Sequence, residues 1–375
     1  MANTTKITYD GVPLSFGSST NFRLLTIEPC SDPNDEVCCN LHVRAMEEPP
    51  QYIALSYTWG EPSLTRMIML NGRPFQVRQN LWDFLVQARS HNLTTMLWVD
   101  ALCIDQSQVK ERNHQVSMMG RIYSGANHVI VWLGRATPTL EKSWQLMNTT
   151  YLYFTKMWIN KPAGYLDEDW ASAIRDICER KYWTRVWVIQ EFTLAKCVVI
   201  WCGTQAMDEE VLKWLLETAY YSENLHEDCS WSDPDRRRDE EILSKAVMRF
   251  LNYVKRHTAS KRSSRKGNMG GLLIAFGPSM ECSDSRDCLY ALLSLIDPEE
   301  TEALGLIPDY NKSTIEIFHD TWEAMMSMHI YYGYTGDLRD TRELVNGLAA
   351  ALRLDIWSDE VRNARAERFS IKLLE

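Results

Sequence analysis

The chain lacks any run of about 18 consecutive apolar residues, so no helical membrane span is expected. Its opening, Met1 to Thr20, lacks a charged segment followed by an apolar one. No signal peptide is therefore expected, and a cytoplasmic location follows. Gly and Pro are scarce, 17 and 13 of 375 residues, which excludes fibrous and low-complexity classes. Base is not in excess. Forty Lys and Arg face 50 Asp and Glu, a formal charge of −10, which argues against a nucleic-acid coat. Cys-x-x-Cys spacing is absent, Cys38 and Cys39 are adjacent, and Cys282 and Cys288 have no accompanying His pattern. The cysteines read as reduced thiols, and no metal site is expected. No Gly-x-Gly-x-x-Gly follows a strand-like run, which disfavours a Rossmann-type dehydrogenase.

What is plentiful is Trp, at 14 residues, within a composition that is 45% hydrophobic. That supports a sizeable core, a Trp-lined cleft, or both. At about 150 residues per domain, the length allows one large or two ordinary domains.

Strand-like runs occupy Phe22 to Ile27, with a candidate partner at Glu36 to Arg44, and Tyr52 to Tyr57. Asn71-Gly72 inside Met67 to Val77 predicts a tight hairpin, because both residues tolerate positive φ. Asn80 is placed to cap a helix whose Leu81, Phe84, Leu85 and Ala88 recur at helical spacing. Met96 to Val99, His128 to Leu133 and Cys197 to Trp201 read as buried parallel strands, with a helical pattern around Val116, Met119 and Tyr123. Strands alternating with helices predict an α/β unit. Residues 140–180 read as a helical insertion, and 222–268 as a charged loop. That loop carries the basic cluster Lys255, Arg256, Lys261, Arg262, Arg265 and Lys266, read as solvated.

The strings YIALSYTWG (52–60), NG (71–72), NL (80–81), LWVDALCIDQ (97–106), ERNHQVSMMGRIYSGANHVIVWLG (111–134), YWTRVWVIQEFTLAKCVVIWCG (182–203), SRDCLYALLSL (285–295) and IPDY (307–310) follow in order. Together they resemble the heterokaryon-incompatibility (HET) domain of filamentous fungi. The resemblance implies non-self recognition and programmed cell death, and a distant relation to the TIR fold of innate immune signalling. The expected fold is then α/β, a TIR-like (flavodoxin-like), mostly parallel sheet flanked by helices, with a helical C-terminal region. Residues 22–206 would form the HET core and 207–375 the helical part. Some TIR domains hydrolyse NAD+ with one Glu, so the resemblance implies NAD+ as a substrate and no bound cofactor. It also implies a homo-oligomer and an incompatibility or immune-receptor partner protein, while the missing apolar run and the net charge argue against membrane and nucleic acid.

On that reading Glu191 is the candidate catalytic carboxylate. Trp187, four residues earlier, shares its face on a helix. Cleavage at the nicotinamide–ribose bond develops a ribosyl cation that one carboxylate can stabilise. The competing reading makes Glu191 a buried salt bridge to Arg185 or Arg112. Ser56, Tyr57, Trp59 and Gly60 follow the first strand of the parallel unit, where Trp59 could stack on a ring and Gly60 permit close approach. Asp100, Cys103 and Asp105 follow the second strand. Asp100 and Asp105 suit ribose hydroxyls or helix capping, and Cys103 would need His114 as base to be a nucleophile. Arg112 suits a phosphate or an ion pair with Asp100. Arg286 and Asp287 read as a helix-start ion pair. The rival to an enzyme is a non-catalytic self-associating module that signals through partners.

Overall fold

The computed structural model describes residues 9–16, 20–30, 32, 35–157, 168–216, 268–276, 280–331, 338–355 and 358. The basic cluster at 255–266 lies outside the described residues. No helix among the described residues is long and apolar enough to cross a membrane.

The chain forms two compact units that interleave along the sequence. The first takes residues 1–107, 122–183 and 195–256, and the second takes 108–121, 184–194 and 257–375. The expected division at residue 206 was linear, whereas two short segments within it group with the later part of the chain.

The first unit holds one nine-stranded sheet in the order β5-β4-β2-β1-β6-β3-β7-β8-β9. The strands are β1 (Asn21–Ile27), β2 (Cys38–Ala45), β3 (Tyr52–Tyr57), β4 (Thr65–Leu70), β5 (Arg73–Arg78), β6 (Met96–Trp98), β7 (His128–Trp132), β8 (Val198–Cys202) and β9 (Gln205–Asp208). The sheet is mixed, which corrects the expectation of a mostly parallel one. Its outer parts are antiparallel pairs, β1–β2, β4–β5 and β8–β9, because short connections can only reverse the chain. The β4–β5 turn is the predicted one, with Asn71 at φ 52° and Gly72 at φ 70°.

The inner block β6-β3-β7-β8 is parallel throughout. In chain order its strands lie second, first, third, fourth, so the crossover direction reverses between β3 and β7. In open α/β sheets such a reversal opens a crevice at the strands' carboxyl ends. β3 (YIALSY) is buried at all six positions, as expected of a strand flanked by parallel neighbours.

Helix α1 (Gln79–Ser90) turns Leu81, Phe84, Leu85 and Ala88 inward, as the spacing predicted. Asn80 is not its cap: the cap position is Arg78, and no side chain caps the helix. The short α2 (Asp100–Cys103) follows β6, and α3 (Val109–Gly125) leads to β7. Between β7 and β8 come α4 (Pro138–Met157), α5 (Glu168–Cys178) and α6 (Trp187–Thr193). The first two are the expected insertion. Trp98, Trp132 and Trp144 are fully buried, each contributing about 2–3 kcal/mol through apolar burial. Trp98 meets Tyr123 edge to face at 5.3 Å.

The second unit contains α6, residues 109–121 of α3, and the later helices α7 (Met269–Phe276), α8 (Asp287–Tyr290), α9 (Pro298–Leu304), α10 (Thr314–Tyr331) and α11 (Leu338–Ala351). Asp297 caps α9, its carboxylate accepting from the Glu299 N–H, and Gly305 ends it at φ 58°.

Candidate functional site

In the first unit, the sequence after β3 builds the carboxyl edge of the parallel block. Ser56 is fully buried, and its hydroxyl lies 2.7 Å from the Tyr182 hydroxyl. Tyr57 is buried. Trp59 is half-buried, and its indole N–H donates to Asp100 Oδ2 at 2.7 Å. The Arg78 guanidinium lies 5.2 Å from the Trp59 ring centre and donates to the Gly60 carbonyl at 2.7 Å. The indole is thus held by a carboxylate at its edge and a cation at its face.

Asn80 ties two strand ends together along this edge. Its amide nitrogen donates to the Thr58 carbonyl at 2.6 Å, and its oxygen accepts from the Trp132 indole at 2.9 Å. It thereby joins the ends of β3 and β7. Two glycines close on the same residue. Gly60, at φ +79°, would place a Cβ 3.3 Å from Asn80 Cβ, and Gly134, at φ +96°, would place one 3.5 Å from its Oδ1. Both need glycine's access to positive φ.

Asp100 Oδ1 also accepts from the Ala101 N–H at 2.6 Å. Cys103 is fully buried, with Sγ taking the Val99 N–H at 3.3 Å. Asp105, also fully buried, accepts from the Ser107 N–H at 3.1 Å and its hydroxyl at 2.6 Å. These groups hold the turn after β6, and Asp105 closes a local turn onto Ser107, short of the start of α3.

In the second unit, α6 carries Trp187 and Glu191 one turn apart. Glu191 Oε1 lies 3.5 Å from Arg185 Nη2, with the Glu191 side chain 2% exposed and that of Arg185 17% exposed. The approach to α6 is fixed by Glu281, whose N–H donates to the Thr184 carbonyl at 2.5 Å and whose carbonyl accepts from the Val186 N–H at 3.0 Å.

Trp187 donates its indole N–H to Asp287, which also accepts from the Tyr310 hydroxyl at 2.5 Å. Burial pushes the Asp287 carboxyl up to about 6, against the pull of these two hydrogen bonds. The Arg112 guanidinium sits 3.9 Å over the Tyr310 ring. Burial also raises the Tyr310 hydroxyl, and the adjacent Asp287 adds to it. Arg286 does not pair with Asp287, as its position suggested. It grips Asp284 at 2.6 Å and donates to the Tyr310 and Lys312 carbonyls. Burial alone would raise Asp284, but the Arg286 hydrogen bonds hold it below the ordinary carboxylate range.

Of the expected residues, Ser56, Tyr57, Trp59, Gly60, Asp100, Cys103 and Asp105 lie in the first unit. Arg112, Trp187 and Glu191 lie in the second. The sequence reading missed Tyr182 and Tyr310 as partners and Asn80 as the connector. All three stand inside or beside the quoted strings, but no local rule assigns them a distant partner. Among the described residues, no group of three or more His, Cys, Asp or Glu is placed to hold a metal.

Comparison with known proteins bears on this arrangement. The family profile described as heterokaryon incompatibility protein (HET) matches residues 52–191. Heterokaryon incompatibility protein 6, OR allele, of Neurospora crassa is 27% identical over 372 aligned residues, covering 85% of this chain and 53% of that protein. The chain therefore spans about half the length of this curated relative. No solved structure matches it significantly. The matched span runs from the first residue of β3 to Glu191 and takes in Asp100, and over these residues the chain is similar to the heterokaryon incompatibility (HET) family.

Proposed function

We propose that this chain acts in fungal non-self recognition, as an effector of heterokaryon incompatibility and programmed cell death. Its chemistry is hydrolysis of NAD+ at the nicotinamide–ribose bond once copies of the chain assemble. The HET match and the printed name of the relative support the biological part. The strand order second, first, third, fourth supports a TIR-like, flavodoxin-type core. The observation that carries the chemical part is the helix before β8, which presents Trp187 and an ion-paired Glu191.

In that reaction the bond from ribose C1′ to the nicotinamide nitrogen breaks, and nicotinamide leaves as a neutral molecule. Water adds to C1′, giving ADP-ribose and a proton. Glu191, paired with Arg185, stabilises the ribosyl cation as it forms. Trp187, one turn before Glu191 on α6, offers a ring face for an aromatic base. An incompatibility or immune-receptor partner protein would bring copies together.

One observation favours a second reading. A carboxylate 2% exposed and paired with arginine is also how a structural ion pair is built. The chain would then be a non-catalytic, self-associating module that triggers death through partners. Expression of wild type and Glu191→Gln in fungal cells separates the two, with viability and cellular NAD+ followed together. The catalytic reading expects the variant to lose killing and NAD+ depletion alike. Killing by both forms with NAD+ intact overturns it in favour of the module.

A further inference from the structure

Cys282 and Cys288 take no part in the chemistry above, and the sequence treats them as unremarkable thiols. The fold brings them together. Their sulfurs lie 2.8 Å apart in the second unit, close to the S–S bond length of about 2.05 Å. The two differ in surroundings. Cys282 is half-exposed, whereas Cys288, on α8, is 1% exposed. Arg353 reaches the Cys282 backbone, donating to its carbonyl at 3.0 Å. A solvent-reachable sulfur beside a cation, backed by a buried second sulfur, is the arrangement of an attacking and a resolving thiol.

We propose that Cys282 and Cys288 form a reversible dithiol–disulfide site that reacts with hydroperoxides. In the first step the Cys282 thiolate attacks one peroxide oxygen and the O–O bond breaks. Water leaves after taking up a proton, and Cys282 becomes a sulfenic acid. In the second step Cys288 sulfur attacks Cys282 sulfur. The S–O bond breaks, the hydroxide leaves as water with the Cys288 proton, and the S–S bond forms. Two thiols are oxidised, one hydrogen peroxide is reduced, and two waters are released.

The hydrogen bond from Cys288 lowers the Cys282 thiol below its ordinary range; burial opposes this and Arg353 assists it. Cys197 is the internal control. It is exposed, yet burial of its sulfur, with Asp208 and Glu209 nearby, pushes its thiol up. Reactivity is therefore expected to run opposite to exposure.

The site bears on the rest of the second unit. Cys282 follows Glu281, which is bonded to both sides of Arg185, and Cys288 follows Asp287, which holds Trp187. Oxidation closes the short loop between the two points that fix α6.

The test uses the full-length reduced protein, exposed to hydrogen peroxide, then blocked with iodoacetamide and mapped by mass spectrometry. A Cys282–Cys288 linked product, lighter by two hydrogens and reversed by dithiothreitol, is expected before Cys197 is modified. Without peroxide, Cys282 is expected to alkylate roughly tenfold faster than Cys197 at neutral pH. Cys288→Ser should leave a sulfenic acid at Cys282 that dimedone traps. If that variant fails to fold, the wild-type mapping decides. Oxidation of Cys197 first, with both Cys282 and Cys288 still alkylated, overturns the proposal. None of these measurements depends on NAD+ hydrolysis.

Discussion

Replacing Asp287 by Asn should flatten the pH dependence of stability. Burial raises the folded carboxyl to about 6, above its ordinary 3.8, so folding takes up a proton between those values. The stability this contributes is fully present below the ordinary value and is lost as pH rises through about 6. A separation of about two pH units corresponds to about 3 kcal/mol between the two limits. Asn carries no charge at either limit, so that term vanishes. One of its two acceptor positions is lost, which costs about 1 kcal/mol if the Tyr310 or Trp187 bond is weakened. At pH 8 the variant should therefore be more stable than wild type by about 2 kcal/mol, and near pH 4 equal or slightly weaker. Thermal and urea unfolding of both proteins from pH 4 to pH 8 measures the difference. Parallel curves across that range would refute the assignment of a raised carboxyl to this half-buried site.

Three further substitutions test the packing. Asn80→Ala removes the link between the Thr58 carbonyl and the Trp132 indole and should cost about 2 kcal/mol in chemical unfolding, while Asn80→Asp, which cannot donate to Thr58, should recover only part. A Cβ at Gly120 would fall 2.5 Å from Ser294 Cβ, so Gly120→Ala should lower the melting temperature despite alanine's better helix propensity; Ser294→Gly in the same chain should restore much of it. Tyr182→Phe removes the buried hydrogen bond to Ser56 and should cost about 1 kcal/mol, with a double-mutant cycle through Ser56→Ala showing coupling rather than additivity.

Local chemistry was readable in the sequence where periodicity and turn rules apply. The run YIALSY became the all-buried β3, and Asn71-Gly72 became a two-residue turn with both residues at positive φ. Spacing also placed the inward face of α1. The antiparallel β8–β9 and β1–β6 pairings were missed because strand direction depends on pairing between segments, which a period of two does not encode. The site residues were identified through motif order. Their partners were not: Trp187 with Asp287, Ser56 with Tyr182 and Arg112 with Tyr310 lie at least 100 residues apart. Asn80 shows a local rule failing outright, because its side chain serves two strand ends rather than the helix it precedes.

The central claim is the role of Glu191, and it is tested most directly by nicotinamide release from NAD+ by the purified full-length chain, compared with Glu191→Gln. At concentrations that permit assembly, wild type should release nicotinamide and ADP-ribose in equal amounts. The variant should remain folded and lose activity by about a hundredfold or more. Equal release by the two proteins would contradict the assignment of Glu191, and no release by assembled wild type would contradict the proposed chemistry.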